Sequence, residues 1–306
     1  MIFLAKPNVL VAGSIGIDTV RTPFGAVEKE IGGSATFASL ACGIFCKPAL
    51  FSIIGNDFPR EKLKVLEQHG INLSALQESK KPNMRWTAHY DFDINTAHTD
   101  SFSANALADL NPKVPEQLRN IEFALLGNFD PEMQMQLLSS FRKKPLLSVS
   151  DTMNYYINSK REKVLEMVKA ASIALMNDAE ARQLFNTASL VKAANEILKL
   201  DSDFAVIKKG EHGCVLFSRK SHFSCPGYPL ENVKDPTGCG DSFAGALTGY
   251  LAKTKDFSEK NMRKAIVIAS AVASFNAESF SFYRLAELTK KDIAQRVKEF
   301  KEFAKF

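Results

Sequence analysis

From residue 123 to residue 225 the chain alternates short apolar runs with amphipathic stretches, and this rhythm restricts the available folds more than any other feature. Apolar runs at 123–126, 145–149, 173–176 and 204–208 are separated by stretches with helical apolar spacing at 131–141, 160–169, 178–185 and 190–200. Strands that are apolar on both faces must be covered on both, and strands joined through helices run parallel. The expectation is an α/β fold, a mostly parallel central sheet with helices on both faces and ligands at the carboxyl ends of its strands. Further strands are expected at 9–13, 49–54, 214–217 and 221–225, and further helices at 35–45, 59–69, 242–251, 259–275 and 290–303.

Two stretches break the rhythm. Residues 19–31, with Thr22-Pro23-Phe24-Gly25 as turn material, read as an irregular hairpin. Residues 85–93 alternate aromatic and polar side chains as a half-buried β-ribbon does. Insertions at about 18–31 and 84–103 are therefore expected to form one small β-sheet, a lid on a single domain covering 1–306. Arg85, Trp86, His89 and Tyr90 on that ribbon could touch a ligand, pack the lid or form a dimer contact.

Composition narrows the function classes. A chain of 306 residues that is 45% hydrophobic suits one large domain, and no apolar run is long enough to span a bilayer. The apolar start, residues 1–11, is interrupted by Lys6-Pro7 and reads as an opening strand, so a cytoplasmic protein without a signal peptide or membrane partner is expected. Five cysteines with no CxxC pair point to free thiols. The net charge of +5, from 39 basic and 34 acidic residues, comes without a dense basic block, which argues against a nucleic-acid partner.

The most chemically specific stretch is Asp235-Pro236-Thr237-Gly238-Cys239-Gly240-Asp241-Ser242-Phe243, a glycine loop opening into a helix. Gly238 and Gly240 permit a compact turn, after which the first free amides of the helix converge on one spot and favour an anion. Asp241 lies beside that spot, so a bound polyphosphate and a candidate general base would face each other, a layout suited to phosphoryl transfer. Asp241 as a plain helix cap is the alternative. There is no G-x-x-x-x-G-K-[ST] loop, no dinucleotide fingerprint and no G-x-S-x-G elbow. Asp91-Phe-Asp93-Ile-Asn95 starts like a calcium loop but has Thr96 and Phe102 at the required Gly and Glu positions.

The glycine loop resembles the C-terminal signature of the ribokinase-like (PfkB) carbohydrate kinases, D-T-x-G-A-G-D-x-F, with Pro236 where Thr is common and Cys239 where Ala is. Other segments match the family in order. Gly16-Ile17-Asp18 resembles a strand end whose Asp holds substrate hydroxyls, and Gly32-Gly33 the di-glycine that hinges the lid. Phe37 stands where the family often has Asn, which suggests an aromatic wall for the substrate. Asn177-Asp178-Ala179-Glu180 resembles the N-x-x-E motif, whose Glu would act on magnesium through water; a plain helix start is the other reading. Residues 206–213 resemble the nucleotide loop, keeping Gly210 and Gly213, with Lys208 where Thr is frequent and able to reach phosphate or face solvent. Residues 269–276 would lie beside adenine, with Asn276 a candidate contact, although core packing explains most of them.

The resemblance implies an ATP- and Mg²⁺-dependent kinase that phosphorylates a hydroxyl, expected to be a primary one, of a sugar or sugar-containing molecule. Asp241 would be the base, and the amides of Gly238, Cys239 and Gly240 would hold the phosphoryl group. Asp235 and Thr237 fall where some members bind a monovalent cation such as K⁺; a homodimer through the lid is a separate expectation, from the aromatic ribbon at 85–93. A nucleoside kinase is the alternative within the class. Outside it stands a nucleotide-binding or scaffold protein that has lost catalysis.

Overall fold

Val9 and Val11 point to one side of the first strand and Leu10 and Ala12 to the other, and all four are fully buried. A strand with no polar face can sit only in the middle of a covered sheet. The computed structural model describes residues 6–305, so part of the expected apolar start, residues 1–5, lies outside the described residues. The first half of the chain comprises β1 (Val9–Ala12), β2 (Gly16–Thr22), β3 (Gly25–Gly32), α1 (Ser34–Gly43), β4 (Pro48–Ile54), α2 (Leu63–Gln68), β5 (Asn72–Glu78), β6 (Met84–Tyr90) and β7 (Ala97–Ser103). Then come β8 (Phe123–Leu126), α3 (Pro131–Ser139), β9 (Leu147–Ser150), α4 (Asn154–Ser159), α5 (Arg161–Ala170), β10 (Ile173–Asn177), α6 (Asp178–Phe185) and α7 (Leu190–Lys199). The last part holds β11 (Phe204–Lys208), β12 (Cys214–Ser218), β13 (His222–Cys225), α8 (Cys239–Thr254), α9 (Glu259–Asn276), α10 (Tyr283–Ala286) and α11 (Lys290–Phe303).

Nine strands form the main sheet in the order β13-β12-β11-β10-β9-β8-β1-β4-β5. From β11 to β5 every neighbouring pair is parallel, while β12 and β13 add an antiparallel edge. The strands alternate between two layers of helices. Val9, Val11, Leu125 and Val206 pack with Leu40 of α1, Leu247 of α8 and Ile266 of α9. On the opposite face Leu10 and Leu126 pack with Leu137 of α3 and Met167 of α5, and Met176 and Ile207 with Leu184 of α6 and Ile197 of α7. Where α8 crosses α1, a Cβ on Gly245 would collide with the carbonyl of Ala38, so the two helices are in backbone contact there.

A second sheet of four strands, β3-β2-β6-β7, stands apart from the first. Two antiparallel hairpins, β2–β3 and β6–β7, are joined through a parallel β2–β6 pair. Four elements differ from expectation, one of them the added short helix α10. The 59–69 helix is a 3₁₀ turn (Arg60–Lys62) running into the short α2. α4 is an added helix ahead of α5. β5 was not expected, because only Ala75 of its seven residues is buried and an edge strand of this kind carries no apolar period.

Candidate active site

Helix α8 starts three residues earlier than the sequence suggests, with Gly238 as its N-cap at φ +77°. A Cβ at this position would run into the ring of Phe37, so the loop can close only on a residue without a side chain. Gly238→Ala is therefore expected to cost more than the ~1 kcal/mol typical of a left-handed alanine, read as a lower urea midpoint with an unchanged m-value. An unaltered midpoint would mean that the loop is not held against α1.

Asp241 is consequently a residue of the first helical turn and not its cap. The Cys239 amide donates to the Pro236 carbonyl (3.1 Å), and the first helical bond runs from the Ser242 amide to the Gly238 carbonyl (2.8 Å). The anion-facing set expected from sequence is corrected in one member: the Cys239 amide is engaged in the turn. The amides of Gly238, Gly240 and Asp241 have no acceptor among the described residues. The Asp241 carboxylate likewise accepts no hydrogen bond. Burial, reinforced by the charge of Asp151 and relieved by Lys208, pushes Asp241 up to about 7.

Three strand ends deliver the neighbouring charges. Asp151 follows β9, Asn177 ends β10, and Lys208 ends β11 in register with Asn177. The Lys208 ammonium lies 2.6 Å from Asp151 Oδ2, with the side chains 15% and 6% exposed. Asn177 and Glu180 form a reciprocal capping box: Asn177 Oδ1 accepts from the Glu180 amide (2.8 Å), and Glu180 Oε2 from the Asn177 amide (2.7 Å). The Glu180 carboxyl is buried, and desolvation with the charge of Asp151 outweighs Lys208 and pushes it up to about 8.

On the other side of the Gly238 loop, Asp18 of β2 is buried, and its Oδ1 has no hydrogen-bond partner among the described residues. Desolvation leads in raising Asp18 to about 7; a bond to the Gly33 backbone opposes it, and the charges of Asp235 and Asp241 add to it. Any side chain at Gly32 would strike the Asp18 carboxylate, so the di-glycine makes the space this acid occupies. Reciprocal bonds between the amides and hydroxyls of Ser14 and Ser34 pin the same loop to the end of β1.

Phe37 corrects a second expectation. At 2% exposure its ring lies in the core, beneath Gly238, and offers no wall to a substrate. Asn276 is a third correction: fully buried, it donates to the Thr237 carbonyl (2.7 Å) and braces the glycine loop from inside. Asp235, at the position where some relatives of this pattern were expected to bind a monovalent cation, accepts from the amides of Thr237 (2.9 Å) and Ser281 (3.3 Å).

The small sheet leans over these groups. Of the four residues singled out on its ribbon, Tyr90 reaches the loop, its hydroxyl 3.2 Å from Thr237 Oγ1. Arg85, Trp86 and His89 engage Asp57, Thr99 and Asp100 instead. Gly210 opens a 3₁₀ turn that Gly213 closes, its amide donating to the Gly210 carbonyl (3.0 Å). Asn95, in the β6–β7 turn, bonds both the amide and the carboxylate of Glu211 in that loop (3.0 and 2.9 Å).

Sequence reasoning missed Asp151 and Asn128. Both follow strands of the central sheet, and a search of each strand end for polar side chains would have found them. Asn128 donates weakly to Met153 Sδ, and its buried Oδ1 has no partner. No group of three or more metal-ligating side chains occurs among the described residues, and no helix among them is long and apolar enough to cross a membrane.

Comparison with known proteins agrees with the fold, a large mostly parallel sheet with a smaller second sheet. The chain is 26% identical to a cytidine kinase from Thermococcus kodakarensis over 79% of its own length and 88% of the relative's. It is 27% identical to a nucleoside kinase from Methanocaldococcus jannaschii over 83% and 81%. In three dimensions it matches the Burkholderia thailandensis nucleoside kinase solved with inosine at a TM-score of 0.81, with 19% identity, covering 95% of this chain and 97% of that one. The model of the pfkB family of carbohydrate kinases matches residues 7–287, and this chain belongs to that family.

Proposed function

We propose that the chain is an ATP-dependent kinase that phosphorylates a hydroxyl of a nucleoside, with Asp241 as general base. One observation carries the reading: a half-buried carboxylate stands in the first turn of a helix, and among the described residues neither it nor the amides at 238, 240 and 241 have a hydrogen-bond partner. Amides so aimed stabilise the charge that develops on a phosphoryl group in transfer, and the carboxylate takes the acceptor's proton. Asp18, in the space left by Gly32, holds acceptor hydroxyls, and the 210–213 loop with Lys208 holds the nucleotide. The sheet carrying Tyr90 acts as a lid that keeps water from the reaction.

The donors present fit a magnesium ion that keeps most of its water: Glu180 and Asp151 supply hard oxygens, and no caging cluster is present among the described residues. When bound, such an ion neutralises charge on the polyphosphate. The nucleoside is preferred over a free sugar because the cytidine and nucleoside kinases align over most of the chain. Incubation with Mg-ATP and a panel of nucleosides and free sugars tests this: nucleosides should release ADP at the highest kcat/KM, and a preference for a free sugar would overturn the acceptor assignment.

The same site sets a pH dependence. A base must be ionised, and Asp18 and Asp241 are each pushed up to about 7. The kcat/KM for the acceptor should therefore rise with pH through about 7, more steeply than a single titration allows. A profile flat down to pH 5 would contradict it.

A further inference from the structure

The Lys208–Asp151 pair is placed where an ion pair alone makes little sense. Taking both charges out of water is costly, and a buried pair is often no more stable than apolar residues of the same volume. Three carboxylates, those of Asp151, Glu180 and Asp241, gather about this one ammonium. Burial works against its charge, and Asp151 and Glu180 overcome that and hold Lys208 above its ordinary value. A Cβ added to Gly240 would lie 3.3 Å from the Lys208 Nζ, so the ammonium rests against the first turn of α8. That is the positive end of a helix, where a cation is unfavourable unless an anion is shared between them. Free amides and ammonium thus point at the same place while the lysine's contact ion partner stands at its side.

Resting on the kinase reading above, we propose that Lys208 is the fixed cation of the polyphosphate site and that Asp151 is its resting partner, which it leaves for a phosphate oxygen when nucleotide binds. The backbone of Lys208 is fixed by its pairing with Asn177 across β10 and β11, so only side-chain torsions need change. Asp151 then competes with the nucleotide for Lys208. This assigns Asp151 a role opposite in sign to that of a structural partner: it weakens nucleotide binding and keeps the cation in place between turnovers.

The test is calorimetric titration with ATP in EDTA, so that no metal and no turnover contribute. Lys208→Gln should weaken ATP binding about 10- to 100-fold, the range of one charge-assisted hydrogen bond, and should affect AMP less. Asp151→Asn should tighten ATP binding, because the ammonium no longer has to leave a carboxylate. Because Lys208→Gln strands a buried carboxylate, which is destabilising in itself, the double variant Lys208→Gln/Asp151→Asn is measured beside it and should bind ATP as weakly as the single one. Weakening of ATP binding by Asp151→Asn, or its lack of effect, would overturn the exchange. So would unchanged affinity in Lys208→Gln or in the double variant. Failure of the parent to bind ATP at all would instead overturn the kinase reading.

Discussion

Asp241→Asn is expected to leave the chain folded and able to bind ATP while lowering turnover about 10²- to 10⁴-fold, the usual contribution of a positioned general base. The amide is nearly isosteric and keeps the first turn of α8 intact, because Gly238 and not Asp241 caps that helix. What it removes is the ability to accept the proton as the acceptor oxygen attacks. A second effect separates loss of chemistry from loss of structure. The Asp241 carboxyl is held above its ordinary 3.8 by burial, with Asp151 adding to the shift. Between that value and about 7 the folded chain keeps a proton that the unfolded chain has lost, so stability falls as pH rises through this window. Replacing the acid removes that loss. The variant should thus melt higher than the parent at pH 8 and show a smaller difference at pH 4. A lower melting temperature at pH 8, or turnover near the parent rate, would each contradict the placement of a desolvated base here.

Asp18→Asn is expected to lower kcat/KM for the acceptor about 100-fold or more while leaving the affinity for ATP unchanged. The Asp18 Oδ1 is fully buried without a partner, and an orphaned carboxylate oxygen costs free energy unless a ligand donor satisfies it. Hydrogen bonds to a charged group contribute roughly 1.5–3 kcal/mol each, so losing one or two of them gives the stated range. The substitution replaces an oxygen that only accepts by an NH₂ that only donates, turning an attraction for hydroxyl protons into a mismatch. Steady-state kinetics with each substrate varied in turn decides the matter. A defect confined to ATP would move Asp18 to the nucleotide side and remove the acceptor assignment.

The parts of this site legible in the sequence were those with local causes. Glycines at 238 and 240 ahead of a helical stretch require a turn, and Asn177 with Glu180 three residues on requires a helix start, whatever surrounds them. Phe37 was misjudged because α1 is buried from Ser34 to Cys42, so its apolar spacing carries no information about which face meets a ligand. Asn276 lies at the end of α9, where sequence gives a place but not the Thr237 carbonyl it bonds, 39 residues earlier. Asp151 was invisible for the same reason: its partner Lys208 stands 57 residues later in the chain, and only the parallel order of β9, β10 and β11 brings them together. The two hairpins were readable as strands, yet their union through a parallel β2–β6 pair depends on where the main sheet leaves their ends.

The central claim is phosphoryl transfer to a hydroxyl, and mass analysis of the acceptor tests it most directly. Parent protein and Asp241→Asn are each incubated with Mg-ATP and a nucleoside panel, and both ADP and the acceptor's mass are followed. The account predicts a nucleoside that gains one phosphoryl group in step with ADP formed by the parent, and both products formed about 100-fold or more slowly by the variant. Nucleotide binding by the folded parent with no phosphorylated acceptor, or ADP formed without one, would contradict it.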